Sequence, residues 1–184
     1  MIKKIYFYFL IIFLLCFSIT LFFYLTINQK NTAFNEKEID FYIPKNFSFE
    51  EVVNSLRPFL ISSKTFIFVS NLKDYSSKIK YGKYKIKKGS SNNQIINILR
   101  SKSLPIKLTF NNQETLEDLA GRVSTQIESD SLTLIKSFRD TVFLKENDFN
   151  FKNAISMYIP NSYQFYWNTT CLLYTSPSPR DATL

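Results

Sequence analysis

Acid–base chemistry in this sequence can fall only to carboxylates, lysines or tyrosines, because it contains no histidine. That excludes Ser-His-Asp and Cys-His machinery in the segment. Cys16 lies in an apolar N-terminal run and Cys171 in an atypical C-terminal stretch. The part between them has no thiol, so it offers no disulfide, no cysteine-type zinc site and no cysteine nucleophile. The carboxylates to weigh are Glu114, Glu117, Asp118, Glu128, Asp130, Asp140, Glu146 and Asp148. Each sits in a helix-start, helix-face or loop context. None has the apolar flanks that raise a carboxyl pKa enough to make a general acid. Solvated surface is the ordinary reading for all eight. No catalytic residue and no metal or cofactor site is assigned.

The elements that must position any site begin with an anchor. Residues 5–27 are 23 consecutive residues without a charge, enough for a helix to cross a bilayer core. Lys3, Lys4 and the terminal amine precede the run and Asn28-Gln29 follow it. The positive-inside rule then keeps residues 1–4 in the cytoplasm and exports the chain beyond Asn28. A cleaved signal peptide is the weaker alternative, since no small-residue cleavage site ends the run. Leu15 before Cys16 also argues against a lipoprotein signal. Residues 28–38 read as a polar tether of at most about 35 Å, which holds the exported part close to the membrane.

The exported part repeats one pattern three times. Tyr42-Ile43, Tyr84-Lys85-Ile86 and Leu108-Thr109-Phe110 read as short strands. Each is followed by a turn containing Asn or Gly. Ser48, Ser91 and Thr115 then fall at helix N-cap positions, with Glu51, Gln94 and Asp118 three residues later. The first two pairs complete capping boxes, and the third is a weaker variant. Apolar residues come next at helical spacing. A further helix is expected over 63–74, with Phe66, Val69 and Leu72 on one face. Another is expected over 132–144, with Leu134, Ile135, Phe138 and Val142 apolar. Strands near Phe41, Tyr84 and Leu108 would make a small α+β unit.

The net charge of +8 comes from scattered residues. Lys-heavy codon usage in an AT-rich genome explains it, and no basic cluster points to nucleic acid.

Tyr42-Ile43-Pro44-Lys45-Asn46, Tyr81-Gly82-Lys83-Tyr84-Lys85-Ile86 and Tyr158-Ile159-Pro160-Asn161-Ser162-Tyr163-Gln164-Phe165 carry a resemblance. With them the chain resembles the endolytic murein transglycosylase family, the YceG-like, MltG-type proteins. The resemblance implies an α+β fold: a single transmembrane helix, a LysM-like module over 39–104, a second strand–helix unit over 105–150, and the truncated start of a catalytic domain over 151–170. It also implies residence in the inner membrane, single-pass, with the bulk of the chain periplasmic. Its partners would be peptidoglycan glycan strands, membrane lipid through residues 5–27, and peptidoglycan synthases.

The implied reaction is cleavage of the MurNAc–GlcNAc bond by one glutamate, leaving a 1,6-anhydro-MurNAc end and limiting nascent strand length. In the family that glutamate stands in an Ala-Ser-Ile-(Ile/Val)-Glu-type motif beyond the Pro-Asn-Ser-Tyr segment, and no such motif occurs here. Asn161 replaces the usual Asp and Ser162 the usual Thr, so hydrogen bonding is kept and a charge is lost. Asn161 and Tyr163 are the expected substrate-binding residues, Tyr163 as a sugar-stacking wall. Phe165 and Trp167 read as packing for a strand edge. An anchored, non-catalytic glycan- or partner-binding module is the competing reading. The segment 158–169 weighs against it, because a binding module has no need of that stretch.

Residues 171–184 resemble a translated sequencing-library adapter and contain no Lys, Asn, Ile or Phe. An ordinary Pro/Ser-rich tail is the alternative. On the adapter reading, the natural chain continues past Thr170 and the family's glutamate lies downstream.

Overall fold

The structure is a computed structural model and describes residues 2–169. The stretch read as adapter-derived lies outside them. The chain divides into two compact units. The first comprises Met1–Phe41, Phe47–Lys80 and Tyr84–Lys102, and the second comprises Tyr42–Asn46, Tyr81–Lys83 and the chain from Ser103 onward.

In the first unit, α1 (Ile2–Asn28) contains Tyr6–Asn28, long and apolar enough to span a membrane. Next come β1 (Glu38–Ile43), α2 (Phe49–Leu56), α3 (Ser63–Leu72), β2 (Gly82–Lys87) and α4 (Asn92–Arg100). β1 pairs with β2, and the ends of both strands, Tyr42-Ile43 and Gly82-Lys83, group with the second unit. Alternation sends Tyr84 and Ile86 inward, while the helical spacing of Val52, Val53, Leu56, Ile95, Ile96 and Leu99 buries one face of α2 and of α4.

Both capping boxes close. The Ser48 hydroxyl accepts from Glu51 N (3.3 Å) while the Glu51 carboxylate accepts from Ser48 N (2.6 Å). Ser91 and Gln94 repeat the exchange at 3.3 and 2.9 Å. On α5 (Leu116–Ser124), Thr115 accepts from Asp118 N at 3.1 Å. Asp118 is one methylene shorter than Glu and meets the Thr115 hydroxyl instead. The third cap is therefore one-sided.

The stretch expected as a tether is docked. Asn31 is 3% exposed and Phe34 8%. Asn31 N donates to Ser90 O at 2.9 Å, and isolated bridges join Lys30 to Ser91 and Thr32 to Leu60. Polarity suggests a free linker, but the polar groups of Asn31 and Thr32 satisfy buried backbone instead.

The second unit is built on β3 (Pro105–Phe110) and β4 (Asn161–Tyr166). They pair antiparallel with Ile106 opposite Phe165, Leu108 opposite Tyr163 and Phe110 opposite Asn161. Residues 105–150 and 151–169, expected as separate parts, thus belong to one unit, because β4 completes the sheet of β3. The third repeat strand pairs with β4 rather than with the strands near Phe41 and Tyr84. Over this sheet lie α5, α6 (Ser131–Phe138) and α7 (Thr141–Glu146). Their core includes Leu108, Leu119, Ala120, Val123, Leu134, Phe138, Leu144 and Met157.

Two expected helices differ. The segment 132–144 is two helices, broken where Asp140 accepts from Val142 N (2.9 Å) and Phe143 N (3.2 Å) and starts a new one. The break re-aims the chain, leaving Val142 exposed while Leu134 and Phe138 stay buried. On α3, Phe66 and Val69 are buried but Leu72 is 54% exposed.

Gly82 lies at φ +127°, and a β-carbon there would stand 2.6 Å from Ser103 Cβ. Only glycine accommodates both. The next residues, Lys83 and Leu104, form an isolated antiparallel bridge.

Candidate functional site

The three segments that carry the family resemblance each contribute to the second unit. The Tyr42 ring packs tilted against Trp167, 5.0 Å between centres, and the Lys83 ammonium lies 5.6 Å from the centre of the same Tyr42 ring, a cation–π distance. The Glu128 carboxylate accepts from Lys45 N at 2.7 Å, while Glu128 N donates to Trp167 O at 3.0 Å. Trp167 is thus held from both sides as packing.

β4 carries an aromatic ladder. Tyr163 stacks on Phe110 at 5.7 Å and 20° and on Phe165 at 6.1 Å and 30°. Such stacking is set by register: residues two apart on a strand share a face, as do diagonal cross-strand neighbours. The Tyr163 hydroxyl donates to Ile159 O at 2.5 Å, and burial raises its pKa. Asn161 is exposed. Its side-chain oxygen accepts from Ser162 N at 2.7 Å.

Beside the ladder opens a cleft of about 260 Å³. Its walls are Phe110, the turn Asn111-Asn112-Gln113, Leu119 of α5, and Ile155, Ser156, Tyr158, Ile159 and Pro160. Gln113 Nε2 donates to Asn111 Oδ1 at 2.7 Å and to Asn112 O at 3.0 Å, so the turn presents a connected amide surface. The Tyr158 ring packs 4.8 Å from Phe138. Its hydroxyl is buried without a hydrogen-bond partner among the described residues, and burial pushes it well above the usual phenol range.

Neither Asn161 nor Tyr163 lines this cleft. Phe110 faces Asn161 across the register and stacks on Tyr163, while Ile159 accepts the Tyr163 hydroxyl. The two residues therefore back the cleft through its wall. Sequence alone marks the amide stretch only as a turn. Three consecutive amide side chains between a strand and a helix cap are the available signal for more.

A second cleft, of about 580 Å³, is lined by Glu114, Thr115, Leu116, Glu117, Arg139, Phe151, Lys152 and Ile155. Glu117 there pairs with Arg139. Asp130 and Asp140 serve as helix caps, and hydrogen bonds from Thr133 hold the Asp130 carboxyl below the usual range. Of the eight weighed carboxylates only Glu128 is more than superficially covered. Among the described residues no cluster of three or more Asp, Glu, His or Cys could hold a metal ion.

An apolar helix long enough to cross a membrane, followed by strand–turn–helix repeats and a sheet edged by an aromatic ladder and an amide turn, defines an α+β module with a polar–aromatic cleft. The chain belongs to the YceG-like family, whose sequence profile matches residues 41–174. That match extends four residues into the stretch set aside as adapter-like. No curated protein matches the chain. Among solved structures it is similar to a yceG-like protein from Listeria monocytogenes, with 18% identity and a TM-score of 0.38 over 77% of this chain and 53% of that one. The chain thus spans about half the length of that structure.

Proposed function

We propose that this chain is the membrane-anchored N-terminal portion of an endolytic peptidoglycan lytic transglycosylase, cutting glycan strands beside the inner membrane from the periplasmic side. The observation that carries the reading is that Tyr158, Ile159 and Pro160 line the cleft directly ahead of β4, within the family-matched region. Amides and aromatic faces suit a neutral, hydroxyl-rich ligand, because amides both donate and accept while ring faces cover the apolar side of a sugar.

In the full reaction one glutamate protonates the glycosidic oxygen between MurNAc and GlcNAc, releasing the GlcNAc hydroxyl. The resulting carboxylate then takes the proton from the MurNAc 6-hydroxyl as that oxygen closes on the anomeric carbon. The 1,6-anhydro ring forms without water, and the glutamate ends protonated as it began. This differs from two-carboxylate hydrolysis but makes the same demand for a carboxyl of raised pKa. The carboxylates here are caps, ion-paired, exposed or, for Glu128, bound to the Lys45 backbone amide, and the family resemblance assigns the acid to an Ala-Ser-Ile-Val-Glu-type motif downstream. The present residues supply strand binding, positioning and the anchor. The LysM-like character of the first unit would add affinity for GlcNAc polymers.

Titration of an uncrosslinked GlcNAc–MurNAc oligosaccharide into the isotope-labelled chain in detergent micelles tests this. Shifts centred on the amides of Asn111, Asn112 and Gln113 and on Tyr158 are expected. Shifts confined to the first unit would favour the non-catalytic binding reading, and no shifts would contradict both.

A further inference from the structure

Tyr6–Asn28 is 23 residues, or about 35 Å of helix at 1.5 Å per residue. That is only slightly more than a hydrocarbon core of about 30 Å. The chain does not leave this helix through a free linker. Asn92, 1% exposed, donates through its side-chain amide to Thr26 O at 3.2 Å, inside the last turn of α1. Asn31 donates in turn to Asn92 Oδ1 at 2.6 Å and to Ser62 O at 2.9 Å. The Asn31 side-chain oxygen accepts from Ser62 N at 2.7 Å. The start of α3, the start of α4 and the end of α1 are therefore fixed to one another by buried and part-buried hydrogen bonds.

This fixation sets the depth of α3. The Phe68 ring lies 5.7 Å from the ring of Phe23. Phe23 stands five residues before the end of α1, roughly 7 Å back along the helix axis. Phe68 is thus carried below the level at which the span ends. Leu72 stands four residues after it and Lys64 four before, so the three share one side of α3. Phe68 is 37% exposed and Leu72 54%, with Ile61 66% exposed just ahead of the helix. An interfacial helix buries its apolar face about 5–10 Å into the headgroup–acyl boundary, and a lysine on that face keeps its ammonium in the headgroups by snorkelling.

We propose that α3 lies in the lipid interface at the C-terminal end of α1, with Phe68 and Leu72 inserted among acyl chains and Lys64 among headgroups. The occupant is bilayer lipid because the exposed face is continuous, through Phe68 and Phe23, with the apolar surface of the span itself. The proposal rests on reading α1 as membrane-spanning. It assigns the first unit a second, peripheral membrane contact and a fixed orientation on the bilayer.

Bromine quenching of single tryptophans tests it in the full chain, reconstituted in phosphatidylethanolamine–phosphatidylglycerol vesicles. Trp167 is the sole tryptophan, and Trp167→Phe supplies the background. Into it go Phe68→Trp, Leu72→Trp, Phe13→Trp in mid-span and Glu50→Trp on α2. Lipids brominated near the headgroup should lower Phe68→Trp and Leu72→Trp emission about two-fold, the response of a side chain at interfacial depth. Lipids brominated near the chain end should quench Phe13→Trp, and Glu50→Trp should respond to neither. Quenching of Phe13→Trp with Phe68→Trp and Leu72→Trp behaving like Glu50→Trp would overturn the proposal while leaving the span intact. Absence of quenching in Phe13→Trp would overturn both. Blue-shifted Leu72→Trp emission that grows with protein-to-lipid ratio and ignores bromine would place a second copy on the face, which also overturns the proposal. Leu72 is exposed, so its replacement remains informative if Phe68→Trp fails to fold.

Discussion

The side-chain amide of Asn31 donates to the Asn92 carboxamide oxygen at 2.6 Å in a buried site, and Asn92 passes its own amide to the Thr26 carbonyl. Two small polar residues, 61 positions apart, thereby join the end of α1 to the rest of the first unit. Asn92→Ala should cost about 1–3 kcal/mol, because it removes the side-chain donor to the Thr26 carbonyl and one of the two acceptors of the Asn31 amide. Thermal unfolding of the reconstituted chain measures it. An unchanged transition would mean that the pair is not structural.

Two glycines should respond with opposite sign. Gly82→Ala forces a β-carbon against Ser103 at a positive φ and should destabilise by about 2 kcal/mol or more. Gly121 lies within α5, and an added β-carbon there meets nothing within 4 Å. Gly121→Ala should therefore stabilise by about 0.5–1 kcal/mol. Denaturant midpoints for both variants decide it, and equal signs would contradict the local geometry.

Much of this fold is legible in the sequence because its signals are local. The boxes at Ser48/Glu51 and Ser91/Gln94 and the one-sided cap at Thr115 are set by residues three apart, and the membrane-length helix by an uninterrupted apolar run. The hidden features depend on distant partners. Nothing near Asn31 announces Ser62, Ser90 or Asn92, so a docked segment reads as a tether. Nothing near Leu108 announces Tyr163, so the sequence groups β3 with the wrong strands. Asp140 reads as a solvated residue of a long helix, although its side chain starts a new one. The candidate site is half visible: the aromatic run is evident, but its partner wall, the amide turn 111–113, is separated from it by the whole of α5 to α7.

Alkaline pH should loosen the first unit. Tyr84 is 1% exposed, its hydroxyl donates to Lys80 O at 3.0 Å, and burial pushes it up to about 12. Burial raises Tyr75 as well. A phenol of raised folded-state pKa contributes stability that is complete below its ordinary value of about 10 and is lost as pH climbs toward the folded value. Far-UV circular dichroism of thermal unfolding from about pH 9 to 12 should show a falling midpoint above the ordinary phenol value of about 10. Tyr84→Phe should flatten that fall, and a midpoint independent of pH would contradict the buried phenols.

Asn161, Asn112 and Tyr163 should separate binding from stability. Asn161 is exposed and its side-chain oxygen accepts from its neighbour's backbone amide. Because Asn161 stands outside the cleft, Asn161→Ala should leave both the unfolding midpoint and glycan-oligomer binding nearly in place, whereas Asn112→Ala in the cleft wall should weaken binding about ten-fold, equivalent to one lost hydrogen bond. Tyr163→Ala removes a stacked ring from the sheet face and should cost about 3 kcal/mol. Calorimetric titration beside thermal unfolding distinguishes the two. A ten-fold loss in Asn161→Ala with none in Asn112→Ala would put the glycan on the strand and not in the cleft.

The central claim is that this chain carries the anchor and cleft wall of a transglycosylase whose acid lies downstream. Product analysis of digested peptidoglycan tests it most directly, comparing the 184-residue chain with the protein read from the genomic frame beyond the Thr170 codon. The extended protein should release 1,6-anhydro-MurNAc ends, Glu→Gln in its Ala-Ser-Ile-Val-Glu-type motif should abolish them, and the chain itself should release none. Anhydro ends released by the chain itself, reducing ends from the extended protein, or an in-frame stop shortly after Thr170 would contradict the account.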